Sequence, residues 1–101
     1  MIHVIASIKV KEDYLDAFIK IFKANVPNVL EEKGCLGYEP CRDMPTGLPI
    51  QEADPSTVTI VERWESPEDL MAHLSAPHMK EYKEKTKDMV ESLSVKVLEP
   101  A

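Results

Sequence analysis

The chain has 101 residues, of which 44% are hydrophobic and 30% charged, and its formal net charge at pH 7 is -6. This length and composition are typical of one globular domain, so we expect residues 1–101 to form a single domain. The excess of acidic residues argues against nucleic acid or an anionic membrane as a partner. Because the sequence has no apolar run of about 18 residues and no signal peptide, we expect a cytoplasmic protein.

The first ten residues predict a β-strand with two unlike faces. Apolar residues at every second position would form the first face, namely Ile2, Val4, Ala6, Ile8 and Val10. The second face is mixed, because Ile5 lies between His3 and Ser7. We therefore expect helices to cover the first face of the sheet and a partner chain to cover the second.

Residues 11–33 predict an amphipathic helix, because their apolar side chains recur at three- and four-residue steps. These side chains are Leu15, Phe18, Ile19, Phe22, Val26, Val29 and Leu30. Asp13 suits the N-cap or the first turn, and Pro27 is expected to bend or split the helix. Gly34 is a candidate C-terminal cap in the left-handed conformation.

A short strand is predicted at residues 35–42, where Pro40 favours an edge position or a bulge. Cys35 and Cys41 would lie about 20 Å apart on a continuous strand. Because a disulfide needs Cα atoms within about 7 Å, we expect two free thiols in a reducing compartment. Residues 43–57 predict a long loop, of the kind that forms lids, interface arms or hairpin tips.

The second half of the chain predicts a strand, a broken helix and a last strand. Residues 58–65 are rich in β-branched side chains, Ser66 is a candidate N-cap, and Pro67 suits the first helical position. This helix is expected to run to about residue 90, with a kink or a break at Pro77. Residues 93–99 alternate again and predict the fourth strand.

The resulting order, β-α-β-β-α-β, predicts an α+β, ferredoxin-like fold with one antiparallel sheet and its helices on one face. The second face of that sheet would be bare. We therefore expect a homodimer with the sheets packed face to face, and Tyr38 and His3 are candidates for its interface.

Several motifs resemble those of the antibiotic biosynthesis monooxygenase family. They are Glu62-Arg63-Trp64-Glu65-Ser66, then His73 with Ala76-Pro77-His78-Met79, and Gly34-Cys35-Leu36-Gly37-Tyr38 after Val26-Pro27-Asn28-Val29-Leu30. The resemblance extends from the first strand to Pro100. It implies a dimeric α+β barrel with a pocket between each sheet and its helices. It also implies oxygenation or oxidation of small quinols or polyphenols with O₂ and without metal or flavin, as in the quinol-oxidising members that the chain resembles most.

Other members of this family are isomerases, haem-degrading enzymes or proteins without a known reaction, so the resemblance alone leaves the chemistry open. Haem-degrading members carry an Asn on the first strand, a Trp on the second helix and a His further along that helix. The corresponding positions here hold Ala6, His73 and Lys83, which argues against haem degradation.

His73 is the candidate catalytic base or hydroxyl-binding group, because an imidazole with a pKa near 6.5 can accept a phenolic proton. A structural His, bonded to the strand or to the break at Pro77, is the alternative. Trp64 would either stack on an aromatic substrate or anchor the strand–helix turn in the core. Tyr82 would line the pocket or pack in the core.

Glu62 and Arg63 point to opposite faces of a strand, so one of them faces inward, and the sequence does not decide which. Glu62 and His78 are candidate substrate-binding residues. The alternative for His78 is that it caps a helix or lies on the surface without a functional role. His73 and His78 are five residues apart, which on a regular helix places their side chains about 140° apart around the axis. No Cys or carboxylate completes an evident ligand set with them, so no metal site is predicted. No phosphate-binding loop and no flavin or nicotinamide motif is present, so no cofactor is expected.

Three functions fit this sequence. The leading hypothesis is a cofactor-independent monooxygenase or oxidase that acts on small quinols or polyphenols with O₂. An isomerase or lyase acting on a small carbonyl compound would instead form product without consuming O₂. A non-enzymatic quinone-binding stress-response module would bind its ligand without turnover.

Overall fold

One four-stranded antiparallel sheet organises the chain in the computed structural model, which describes residues 1–101. Its strands lie in the order β2-β3-β1-β4, where β1 is Ile2–Val10, β2 Cys35–Arg42, β3 Thr57–Trp64 and β4 Val90–Leu98. The helices are α1 (Leu15–Leu30), preceded by a 3₁₀ turn at Glu12–Tyr14, α2 (Pro67–Leu74) and α3 (Pro77–Thr86). The predicted α+β, ferredoxin-like plan is therefore confirmed. None of the helices combines the length and apolar character that crossing a bilayer requires.

The central strand β1 has the two unlike faces that its alternation predicts. Its even-numbered residues are buried and belong to one core with Phe18, Phe22 and Val29 of α1. The intervening residues are half-buried, and Ile5 is paired there with Val61 of β3. The helices thus cover one face of the sheet, while the opposite face, which we call the outer face, has no helix over it.

The first helix is shorter than predicted and is not split. It ends at Leu30 rather than near Lys33, because a turn follows in which the Glu32 amide donates to the Val29 carbonyl. Pro27 lies inside the continuous helix. Gly34 has the predicted positive φ of 80°, but it lies in the turn beyond the helix end and leads into β2.

The break at Pro77 is confirmed, since α2 ends at Leu74 and α3 begins at Pro77. Ser66 is the N-cap of α2, as predicted, and its side chain accepts a hydrogen bond of 3.2 Å from the Asp69 amide. The extension of the helix to residue 90 is wrong. The helix α3 ends at Thr86, and Val90 is already paired with Val10 in the sheet.

The last strand carries an apolar strip that the helices leave uncovered. Leu93, Val95 and Val97 pair with inward-facing residues of β1 and therefore share the core face of the sheet. Their exposed fractions are nevertheless 60%, 53% and 53%. One side of the space between sheet and helices consequently stays open along β4.

The segment between β2 and β3 is a long loop, as predicted, and Asp54 near its end forms an ion pair with Lys9 of β1. Cys35 and Cys41 do not form a disulfide with each other, as their predicted separation on one strand implied.

Candidate active site

A cavity of about 320 Å³ lies between the core face of the sheet and the helices. This volume is at the lower end of the range of about 300–1,000 Å³ for small-molecule sites. Of its 17 lining residues 14 are hydrophobic, and the other three are Glu62, His73 and Lys83. The strip of Leu93, Val95 and Val97 forms one wall. The cavity therefore offers a small aromatic molecule an apolar space with few polar groups.

His73 lies on the cavity wall and is held by a carboxylate from another element. It projects from α2 with only 2% of its surface exposed, and its Nδ1 lies 2.7 Å from Oε2 of Glu32. Glu32 follows α1, so this contact joins the end of the first helix to the second. A carboxylate accepts hydrogen bonds only, so Nδ1 carries the hydrogen and Nε2 is the basic nitrogen.

The surroundings of His73 keep its imidazole neutral at pH 7. Burial lowers the pKa of His73 below its ordinary value of 6.5, because a charged imidazolium loses hydration there. The Glu32 carboxylate opposes this effect by hydrogen bonding and by its charge. A neutral imidazole with a free Nε2 can accept a proton from a bound hydroxyl group.

Glu62 is the inward-facing member of the pair that the sequence left undecided. It is 6% exposed and lines the cavity, whereas Arg63 is exposed and pairs with His3 on the outer face. Its Oε1 accepts a hydrogen bond of 3.0 Å from Nε1 of Trp64. Burial raises the pKa of Glu62 from 4.5 to about 6, although the bond from the indole lowers it. Glu62 therefore exchanges a proton near neutral pH.

Trp64 is fully buried behind the cavity and is not one of its lining residues. Its ring centroid lies 4.8 Å from that of His73, and its N–H holds Glu62. The indole thus contacts both ionisable groups of the site. A role limited to anchoring the strand–helix turn would not require these two contacts. Direct stacking of Trp64 on a substrate stays a prediction.

Two buried tyrosines supply hydroxyl groups to the lining. Tyr82 lines the cavity, and burial raises the pKa of Tyr82 to about 12. Tyr38 lines it as well, stacks on Phe22 at 5.4 Å and meets His73 edge-on at 5.3 Å. Burial raises the pKa of Tyr38 far above its ordinary value, so both phenols stay protonated. The expectation of Tyr38 at an outer-face interface is wrong, because Tyr38 pairs with Glu62 on the core face.

His78 lies outside the cavity, in a surface groove between α1 and α3. Because the helix is broken, its ring centroid is only 6.5 Å from that of His73, closer than a continuous helix would allow. Its Nε2 lies 3.4 Å from the same Oε2 of Glu32 that holds His73, and Asn25 Nδ2 lies 3.1 Å from its Nδ1. No group of three or more His, Cys, Asp or Glu side chains is arranged to hold a metal ion.

The structure thus brings His73, Glu62 and Tyr82 to one cavity, with Trp64 behind its wall and His78 one layer away. Sequence reasoning missed Glu32 and the role of Tyr38 in the lining. Glu32 is one of two adjacent glutamates in a turn, and no periodicity distinguishes it from Glu31.

Comparison with known proteins gives consistent results. The family described as "Antibiotic biosynthesis monooxygenase" matches residues 1–85. The chain is 40% identical over 106 aligned positions to the Escherichia coli K12 protein named "Probable quinol monooxygenase YgiN", covering 99% of this chain and 98% of that protein.

Solved structures share the fold at lower sequence identity. Rv0793 from Mycobacterium tuberculosis superposes with a TM-score of 0.81 at 24% identity, over 99% of this chain and 94% of that one. PA3566 from Pseudomonas aeruginosa gives a TM-score of 0.82 at 19% identity, over 99% and 93%. These likenesses support the architecture rather than a particular reaction.

Proposed function

Because the chain belongs to the antibiotic biosynthesis monooxygenase family, we propose that it oxidises or oxygenates small quinols or related polyphenols with O₂, without a metal or a flavin. One observation carries this proposal: a neutral imidazole lies on the wall of an apolar cavity and has its Nδ1 tied to a carboxylate. The name of the Escherichia coli relative supports the choice of a quinol.

The first chemical step is removal of a phenolic proton. The substrate O–H bond breaks, its proton passes to Nε2 of His73, and the electron pair stays on the oxygen. The phenolate is a better electron donor than the phenol. Because the cavity is mostly apolar, charge interactions between the phenolate and the few polar lining groups are weakly screened and therefore strong. His73 is the catalytic residue in this scheme, and Tyr82 and Glu62 hold the hydroxyl groups of the substrate.

The substrate itself supplies the electrons that reduce O₂. Transfer of two electrons and two protons from the quinol to O₂ gives a quinone and hydrogen peroxide. Insertion of one oxygen atom into a ring C–H bond, with the same loss of two electrons and two protons, gives a hydroxyquinone and water. Both equations balance without a further reductant, and product analysis distinguishes oxidase from monooxygenase.

Trp64 and His78 are assigned roles behind the cavity. Trp64 holds the Glu62 carboxylate and packs on His73, so we assign it to positioning these groups, whereas the sequence suggested a stacking wall. His78 belongs to the Glu32 contact, and we assign it there instead of to substrate binding.

We further propose that residues 1–101 act as one domain within a homodimer whose outer sheet faces pack together. The paired Ile5 and Val61 at the middle of that face support this proposal, since Val61 is 43% exposed. Replacing Val61 with Lys is expected to shift sedimentation from dimer to monomer, and a parent protein that sediments as a monomer would contradict the dimer. The free thiols support placement in the cytoplasm.

The decisive experiment is oxygen uptake with a naphthoquinol, prepared by chemical reduction of the naphthoquinone and measured against an enzyme-free control because quinols autoxidise. The parent protein is expected to accelerate uptake, and His73→Gln to lower kcat/KM by about 10²-fold or more. His3→Gln, on the outer face away from the cavity, is the matched control, and the fraction of this variant that sediments as the parent does is expected to retain the parental rate. Equal rates for His73→Gln and the parent would remove His73 from the mechanism.

Two other results would point to the alternative functions. Conversion of a small carbonyl compound without oxygen uptake would favour the isomerase or lyase. A thermal shift on quinone binding, with uptake no faster than in the enzyme-free control, would favour the binding module.

A further inference from the structure

We propose that Glu32 is the positioning residue of this site, whose carboxylate holds His73 in the tautomer with a basic Nε2 and stabilises the imidazolium after proton transfer. This inference rests on the proposed function for its catalytic consequence. Its structural part, the tautomer and charge state of His73, can be measured without any substrate.

The first argument is the hydrogen bond between the two side chains. Glu32 Oε2 lies 2.7 Å from His73 Nδ1, a distance typical of charge-assisted bonds. The Glu32 side chain is 17% exposed and that of His73 2%, so water competes little for this contact. The backbone of Glu32 is held as well, because its amide donates to Val29 and its carbonyl accepts from the Cys35 amide.

A second argument comes from the hydrogen bonds behind Glu32, which assign every donor in turn. Asn28 Nδ2 donates to Asn25 Oδ1 at 3.0 Å, so the other end of the Asn25 amide is its NH₂ group. This group faces Nδ1 of His78, which must therefore accept. A hydrogen of His78 is then on Nε2, which lies 3.4 Å from Oε2 of Glu32 without forming a hydrogen bond to it. The Glu32 carboxylate therefore forms its side-chain hydrogen bond with His73 and not with His78.

The third argument concerns charge. The titratable or charged groups around His73 are Glu32 in the turn after α1, Tyr38 on β2, Glu62 on β3, and His78 and Lys83 on α3. Among them Glu32 alone contacts the ring with a hydrogen bond. Replacing its carboxylate by an amide removes the interaction that most favours the imidazolium, while burial continues to oppose it.

The variant Glu32→Gln therefore has two coupled consequences. The pKa of His73 is expected to fall further below its ordinary value, because a contacting carboxylate that raises it is lost. A weaker base removes the substrate proton less readily, so the plateau of kcat/KM is expected to fall at least ~10-fold. The acid limb of the pH profile should move to lower pH at the same time. A loss of folded protein would lower the plateau without moving that limb.

The closing experiment combines nitrogen NMR of the histidine rings with these kinetics. In the substrate-free parent, the ¹⁵N shifts of His73 are expected to show protonated Nδ1 and unprotonated Nε2. Glu32→Gln should lower the titration midpoint of His73, and the matched control Glu31→Gln, in the same turn but exposed, should not. Oxygen uptake with the reduced naphthoquinol then gives the pH profiles of all three proteins.

The outcomes separate this inference from the proposed function. A parent His73 protonated on Nε2, or a midpoint unchanged in Glu32→Gln, overturns the positioning role even if quinol oxidation is fast. The expected tautomer and midpoint shift in a protein that oxidises no quinol uphold the positioning role and refute the function. If Glu32→Gln fails to fold, the tautomer in the parent protein still decides.

Discussion

Replacing Glu62 with Gln should stabilise the protein above neutral pH while impairing the site. The side chain is buried in an apolar wall, where an ionised carboxylate loses most of its hydration. A glutamine of nearly the same shape carries no charge and can still accept the hydrogen bond from Trp64 through its amide oxygen. The variant therefore isolates the cost of the charge.

The magnitude follows from the pKa of Glu62, which burial raises from 4.5 to about 6. A difference of about 1.5 units corresponds to about 2 kcal/mol. Because the pKa is higher in the folded state, the contribution of Glu62 to stability is fully present below about pH 4.5 and is lost as the pH rises through about 6. Glutamine does not titrate, so the variant should gain up to about 2 kcal/mol on the parent above pH 7 and little below pH 4.

Urea unfolding of both proteins at a series of pH values and one fixed protein concentration measures this difference. Glu65→Gln is the matched control, since Glu65 is exposed one residue beyond the end of β3, and its difference from the parent should stay small at all pH values. A Glu62→Gln variant that loses stability as the pH rises, relative to the parent, would refute the reasoning about burial. In the oxygen-uptake assay the same variant should be slower, because the buried carboxylate that lowers stability is proposed to bind the substrate hydroxyl group.

Two further predictions concern the turn before β2 and the tryptophan. A Cβ at Gly34 would lie 2.1 Å from Oδ2 of Asp69, and φ there is 80°, so Gly34→Ala should lower the free energy of unfolding in urea by more than about 2 kcal/mol. The control Gly47→Ala has a similar φ of 81° but no atom within 4 Å of its Cβ, so it should lower that free energy by only about 1 kcal/mol. Equal losses in the two variants would show that the contact with Asp69 is unimportant. Trp64→Phe removes the hydrogen bond that lowers the pKa of Glu62, so the carboxyl ¹³C resonance of Glu62 should titrate above pH 6, and a lower midpoint would contradict this.

The sequence predicted the fold well because the fold depends on patterns that short segments carry. Alternation along β1 identified both of its faces, and the pairing of Ser66 with Pro67 identified the start of α2. Pro77 identified the break between α2 and α3, because a proline in a helix removes a hydrogen bond. The end of α3 was misjudged, since Met89 and Val90 continue the apolar spacing of the helix while Val90 in fact pairs with Val10.

The site was predicted only in part, because its geometry depends on contacts between distant segments. The register of β2 shifts between Cys35 and Gly37, so that Cys35 pairs with Trp64 and Tyr38 with Glu62 on the same core face. Plain alternation from Cys35 would have put Tyr38 on the opposite face. Glu32 reaches His73 across 41 positions of sequence, and only the folded position of the turn after α1 reveals that contact.

Burial is the largest cause of the pKa shift at both ionisable groups of the cavity, and it moves them toward each other. It lowers the pKa of His73 from 6.5 and raises that of Glu62 from 4.5 to about 6, because the charged form is penalised in each case. Trp64 contacts both groups and lowers the pKa of Glu62 by its hydrogen bond, while the charge of Glu32 raises the pKa of both His73 and Glu62. In the proposed quinol oxidation, the neutral imidazole of His73 accepts the phenolic proton, and the Glu62 carboxyl group, with a pKa of about 6, can supply a proton to reduced oxygen.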